Sequence, residues 1–309
     1  MKETIIYQLE SLYRSDLHIR AYEFGGSSGK SICIIGSLRG NEVQQMYICS
    51  LLVKKLKQYE EKKRIRDDVR ITVIPCANTY SLNQEKRFWP QDDTDINRMF
   101  PGYYEGETTQ RIAEGIFDAI KDYDYGVQFT SSYIPGEFSN HIRVMRTGSE
   151  DLENSRFFGL PYIVVRDPRP YDTTTLNYNW QIWKCKAFSL YTKACDTVDV
   201  VSAKEARNSV LRFLYEKGFV DQPVPGGYQS QVIEEQQLTP VVCQHAGFLK
   251  HVVQIDDEVR QGEVVAKIYD PYDHSVMEEL KAPCDGCVFF MHGKDLVYAH
   301  TAVIQLMAQ

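Results

Sequence analysis

The sequence predicts an α/β domain with a mixed, largely parallel sheet over residues 1–226, followed by a small all-β domain over residues 227–309. Three observations carry this reading. Up to about residue 216, short apolar runs alternate with stretches of helical period, the pattern of strands joined through helices. Beyond about residue 225 the helical period stops, and short β-like pieces separated by turn residues take over. Between the two regimes lies Pro223-Val224-Pro225-Gly226-Gly227-Tyr228, a turn-rich linker.

The elements follow in order. Residues 31–36 (Ser-Ile-Cys-Ile-Ile-Gly) are an apolar run that predicts a buried strand. A helix is predicted from about Asn41, which can cap it, with Met46, Cys49, Val53 and Leu56 recurring on one face. It ends in the charged run 60–68. Residues 69–75 predict the next strand. Residues 107–121 predict a second amphipathic helix, presenting Ile112, Ile116, Phe117 and Ile120 on one face. Strands are predicted at 161–166 and 186–191, and a helix at 202–216. In the small domain, β pieces are predicted at 239–244, 247–253, 263–269, 287–292 and 302–307.

Charge narrows the function. Against 35 Lys+Arg stand 42 Asp+Glu, a formal net charge of −7. That balance argues against a general nucleic-acid or anionic-membrane binder, since either needs a cationic surface. No run approaches the ~20 apolar residues of a membrane span, and the N-terminal residues carry no apolar export segment. The eight scattered cysteines read as reduced, mostly buried thiols, and the expected location is cytoplasmic.

Three loops concentrate polar chemistry. Residues 36–42 (Gly-Ser-Leu-Arg-Gly-Asn-Glu) join the first predicted strand to its helix, a common place to display site residues. Arg87 sits in a second loop. Residues 94–102 combine Asp95, Asn97 and Arg98 with an aromatic residue and a Pro-Gly turn. Gly36, Gly40, Glu42, Asn78, Arg87 and the block Asp95-Ile96-Asn97-Arg98-Met99-Phe100-Pro101-Gly102 occur in the order seen in the succinylglutamate desuccinylase/aspartoacylase family. The chain resembles that family, a branch of the zinc-carboxypeptidase-like hydrolases. Gly247, Asp257-Glu258-Val259, Gln261-Gly262 and Ala282-Pro283-Cys284-Asp285-Gly286 likewise resemble a barrel-sandwich domain.

The resemblance implies a Zn²⁺ held by His, Glu and a distant second His, with an activated water in the open position. It also implies a glutamate as general base, an Arg polarising the scissile carbonyl, and an Asn-Arg pair gripping a substrate carboxylate. This chain departs from that pattern. Arg39 stands at the first His position, and a guanidinium offers no lone pair to a metal. Thr130 falls where the second His belongs. Ala194 falls where the base belongs, or Lys193 if the match slips by one residue. Glu42 is the one family ligand retained.

Arg39 and Glu42, three residues apart at a helix start, can pair and restore neutrality without a metal. The expectation is therefore a metal-free, non-catalytic or altered-activity member whose pocket binds a small carboxylate or other anion through Arg87, Asn97, Arg98 and Arg39, with Lys193 added, and no cofactor. The alternative is a hydrolase of N-acyl amino acids or related amides or esters, either zinc-dependent as in the family or with a changed mechanism. His141 reads as a strand or loop residue bonding its neighbours, and Cys284–Cys287 as packing. The aromatic and polar run 171–180 reads either as pocket wall or as a loop packed on itself. No lysine stands at the position a biotinyl-type arm requires. The β domain is expected to cover the pocket or to mediate homo-oligomer formation.

Overall fold

The computed structural model describes residues 1–11, 15–26 and 28–308. Ten strands precede residue 235: β1 (Lys2–Leu9), β2 (Leu17–Gly25), β3 (Lys30–Ser37), β4 (Val69–Cys76), β5 (Tyr125–Phe129), β6 (Gly136–Phe138), β7 (His141–Met145), β8 (Tyr162–Arg166), β9 (Lys186–Tyr191) and β10 (Gln231–Glu234). All but β6 form, among the described residues, one nine-stranded sheet ordered β1-β2-β4-β3-β5-β9-β7-β8-β10. The pairings β4–β3, β3–β5, β5–β9, β7–β8 and β8–β10 are parallel. Those of β1–β2, β2–β4 and β7–β9 are antiparallel. The sheet is mixed and largely parallel, as the alternating pattern predicts.

The helices are α1 (Val43–Glu61), the single turns α2 (Thr79–Leu82) and α4 (Leu152–Ser155), α3 (Thr108–Ile120), α5 (Leu176–Ile182) and α6 (Val200–Glu216). On one face α1 and α6 pack over Ile32, Ile34, Val73 and Phe188. On the other, α3 and α5 cover Cys33, Ile35 and Ile74. Because β3 is buried on both faces, it reads as a continuous apolar run rather than an alternating one. The predicted face of α3 holds: Ile112, Ile116, Phe117 and Ile120 are all buried.

That of α1 is shifted. Met46 is exposed, while Ile48, Cys49, Leu52, Val53 and Leu56 are buried. Asn41 does not cap the helix either. Glu42 occupies the cap position without a side-chain cap bond, because its carboxylate is turned back into the preceding loop.

The rest of the chain is antiparallel β: β11 (Leu238–Val242), β12 (Gly247–His251), β13 (Glu258–Val259), β14 (Val264–Tyr269), β15 (Val276–Lys281), β16 (Gly286–His292), β17 (Leu296–Val297) and β18 (Ala302–Ala308). They form two sheets, β11-β18-β16-β13 and β15-β14-β12-β17, around Val265, Ile268, Val288 and Ile304. The division at 226/227 does not fall where the sheets divide. Strand β10, beyond it, pairs with β8 of the large sheet. Strand β6, before it, pairs with β16 of the small unit and brings Phe138 against Phe289 and Phe290. The two units thus exchange strands. None of the described helices is long and apolar enough to cross a membrane.

Candidate functional site

A cavity of about 550 Å³ opens over the C-terminal ends of the parallel strands β5 and β9 and the loops that follow β3 and β5. This is the edge where an open α/β sheet offers loops and strand ends for ligand binding. Gly36, near the end of β3, lies where the strand and α1 approach closely. A Cβ there would meet the Pro75 carbonyl oxygen at 2.3 Å and the Cys49 Sγ at 3.0 Å. That approach lets the chain turn sharply enough to aim Arg39 and Glu42 at one point.

Arg39 is the hinge of the site. It is 3% exposed. Its Nε donates to both Asp95 oxygens at 3.0 and 2.9 Å, and its Nη1 donates to Glu42 Oε1 at 3.1 Å. Nη1 also reaches Thr130 Oγ1 at 3.5 Å. Glu42 is fully buried. Its Oε2 accepts the Leu38 and Arg39 backbone N–H groups at 2.9 and 3.1 Å, and its Oε1 accepts Ser131 Oγ at 2.7 Å. Burial opposes the Arg39 charge, but the Asp95 and Glu42 carboxylates more than reverse that and hold its pKa above the ordinary guanidinium value. Every acceptor of this cluster is matched to a donor, which a buried ion pair requires.

Arg87 is different. Its Nη1 reaches Ser131 Oγ at 3.3 Å and the Ser132 carbonyl at 3.2 Å, and its guanidinium lies 5.6 Å from the Tyr133 ring centroid. Its Nε has no partner among the described residues. Burial and the nearby Arg39 charge push its pKa below the usual value, as expected of a cation lacking a counter-ion. Arg98 lies at the rim, donating to the Tyr171 carbonyl at 2.5 Å and to Asp172 at 3.5 Å. Asn97 also lines the cavity, though its Oδ1 accepts the Leu176 backbone N–H at 3.1 Å.

A smaller cavity of about 290 Å³ adjoins, sharing Arg87, Thr130 and Ser131 and adding Ala194, Cys195 and Lys294. Burial and then the Glu42 charge push the Cys195 thiol up to about 12. It is therefore a poor nucleophile at neutral pH.

A family model for the succinylglutamate desuccinylase/aspartoacylase catalytic domain matches residues 28–183, about half of the chain. The chain belongs to this family. The N-alpha-acetyl-L-2,4-diaminobutyric acid deacetylase of Halomonas elongata is 25% identical over 271 residues, covering 84% of this chain and 76% of that protein. A succinylglutamate desuccinylase/aspartoacylase from Rhodobacter sphaeroides superposes with a TM-score of 0.78 at 20% identity, over 95% of this chain and 90% of the other. The product-bound ectoine utilization protein EutE from Ruegeria pomeroyi gives 0.79 at 16% identity, over 95% and 90%. These structures share the fold.

The family is typically zinc-dependent, and the residues that the sequence resemblance sets against its metal ligands, Arg39, Glu42 and Thr130, are a poor donor set for the ion. The Arg39 guanidinium has no lone pair to offer and cannot ligate. Thr130 offers only a hydroxyl, already within reach of Arg39. The carboxylate of Glu42 is committed to four donors. No three His, Cys, Asp or Glu residues converge on a metal position among the described residues.

Of the predicted ligand residues, the structure gathers Arg39, Arg87, Asn97 and Arg98 around one cavity. Lys193 is not among them. It is half-exposed and pairs with Glu137 at 3.8 Å, while its backbone N–H is held by Asn140 and Ser202. Arg39 also changes role, since its charge is spent inside the protein. The run 171–180 divides: Tyr171, Asp172, Thr175 and Asn177 line the cavity, whereas Trp180 belongs to the core. His141 is a buried strand residue whose Nδ1 bonds the Ser139 carbonyl.

Sequence reasoning missed Arg143 and Arg166, both in the cavity wall. Their signal was present as an arginine inside the apolar runs His-Ile-Arg-Val-Met and Tyr-Ile-Val-Val-Arg.

Proposed function

We propose that this protein is a non-catalytic, metal-free member of its family that binds a small carboxylate or related anion. The observation that supports this best is the buried pairing of Arg39 with Glu42 and Asp95, at the position where the sequence resemblance would put the first metal-binding His. The internal cation replaces the charge a metal would bring but offers neither a Lewis-acid site nor an activated water. Ala194 at the base position supplies no proton acceptor of its own. Among the described residues Arg87 has no carboxylate partner and Arg98 is half-exposed, and a guanidinium fork suits an incoming carboxylate. The reading keeps the protein cytoplasmic with reduced thiols, without nucleic-acid or membrane partners. It reads the C-terminal sheets as a barrel-sandwich cover or self-association unit.

The test is a panel of N-acyl amino acids and simple carboxylates, assayed for turnover with and without Zn²⁺ and for thermal stabilisation. Stabilisation without turnover, lost in Arg87→Met, is expected. Turnover abolished by Glu42→Ala would establish the alternative, a hydrolase of amide or ester bonds as the family suggests.

A further inference from the structure

The floor of the large cavity is a row across three strands. Arg143 on β7 is paired in register with Ser189 on β9, and Ser189 with Gln128 on β5. Residues opposite one another in a ladder share a face, and all three line the cavity. Arg143 is held flat: its guanidinium lies 4.3 Å from the Tyr191 ring centroid, and Nη1 donates to the Tyr191 hydroxyl at 3.3 Å. Unlike Arg39, Arg98 and Arg166, it makes no carboxylate contact among the described residues.

Among the described residues that line the cavity, the unmet hydrogen-bonding capacity is of one kind. Arg143 Nε, Arg166 Nε, Gln128 Nε2 and Asn177 Nδ2 are buried without a partner. All four are donors, and Gln128 and Asn177 are 1% and 2% exposed. An unmet buried donor is costly, so the floor is completed by oxygen acceptors. The donors come from the sheet (Gln128, Arg143), from the adjoining strand end (Arg166) and from α5 (Asn177). They are not confined to the plane of one guanidinium. A carboxylate is flat and is satisfied by a single arginine fork. A head with three terminal oxygens spreads its acceptors in three dimensions.

We propose that this floor is a second oxyanion subsite, distinct from Arg87 and Arg98, that takes the tetrahedral head, phosphoryl or sulfonyl, of a ligand whose carboxylate lies at Arg87. The carboxylate half rests on the proposed function; the floor subsite stands on its own residues. Arg143 supplies the charge, Ser189 and Gln128 neutral hydrogen bonds, and Asn177 closes the head from above.

The experiment measures thermal stabilisation of the full chain by inorganic phosphate, sulfate and acetate at matched ionic strength, for the native protein, Arg143→Met, Ser189→Ala and Arg87→Met. Phosphate or sulfate is expected to stabilise the native protein and Arg87→Met. In Arg143→Met its apparent dissociation constant rises at least about tenfold, the order of one lost charge-assisted hydrogen bond. The larger response of the two oxyanions names the natural head. If Arg143→Met does not fold, the milder Ser189→Ala carries the same expectation in direction. Phosphate and sulfate stabilisation that survives Arg143→Met, or that is absent from the native protein, overturns the subsite. Loss of the acetate response alone would defeat the carboxylate reading and leave the floor standing.

Discussion

Replacing Arg39 with Met gives the sharpest test of the internal ion cluster. The substitution keeps a flexible stem but removes the charge, and it leaves two carboxylates facing each other's former partner. Glu42 retains three donors, from the Leu38 and residue-39 backbones and Ser131. Asp95 loses both Nε contacts and keeps the Asn97 backbone N–H. Breaking a buried pair by removing one partner costs about 3–5 kcal/mol, and the three surviving donors of Glu42 place the expected loss near the middle, about 4 kcal/mol. With an unfolding entropy of about 2.1 cal/mol/K per residue, a chain of 309 residues shifts by roughly 1.5 °C per kcal/mol. The expected fall in Tm is thus about 6 °C, read by differential scanning fluorimetry at neutral pH. Adding Asp95→Asn to the variant relieves one stranded charge, and the two changes should couple by at least about 1 kcal/mol. A fall under about 2 °C, or strictly additive changes, would refute the view that Arg39 is a structural counter-ion.

Three other outcomes follow from the same geometry. Burial, and then the neighbouring Arg143 charge, bring His141 down to about 3. The unfolded chain therefore takes up this proton from about pH 6.5 downward while the folded one does not, so stability falls with pH across that window by up to about 1.4 kcal/mol per unit. His141→Phe, which preserves the stack on Tyr191, should flatten the decline between pH 6.5 and 5 in urea titrations; parallel curves would contradict it. Cys195 should resist iodoacetamide in the native protein at pH 8, given a thiol pushed up to about 12, and rapid labelling by mass spectrometry would oppose that. Gly36→Ala should lower stability by about 1–3 kcal/mol through overpacking against Pro75 and Cys49, and an unchanged denaturation midpoint would count against the close approach.

Much of the fold was legible because its determinants are local. The apolar runs of β3, β4, β8 and β9 and the stripe of α3 are dictated by burial on one or both faces. Strand β15 was not legible: Val-Met-Glu-Glu-Leu-Lys has little intrinsic strand preference and is extended because β14 pairs with it. The exchange of β6 and β10 between units was also hidden, since pairing across a linker leaves no periodic trace. At the site, the loop motifs identified Arg39, Glu42, Arg87 and Arg98. They could not reveal that Asp95, 56 residues away, would claim the Arg39 Nε. Nor could they show that the Lys193 side chain pairs with Glu137 rather than lining the cavity. Arg143 and Arg166 were visible as charges within apolar strands but belonged to none of the motif loops being followed.

The bridge from Glu42 through Arg39 to Asp95 also constrains the history open to this chain. A single change of residue 39 to His would strand Asp95 while supplying one imidazole in place of the three contacts the guanidinium makes to Asp95 and Glu42. Any single change at residue 39 therefore passes through a less stable protein. The cluster thus acts as a lock on residue 39, and change is left to the arginines of the cavity wall, which can be altered without opening the buried pair.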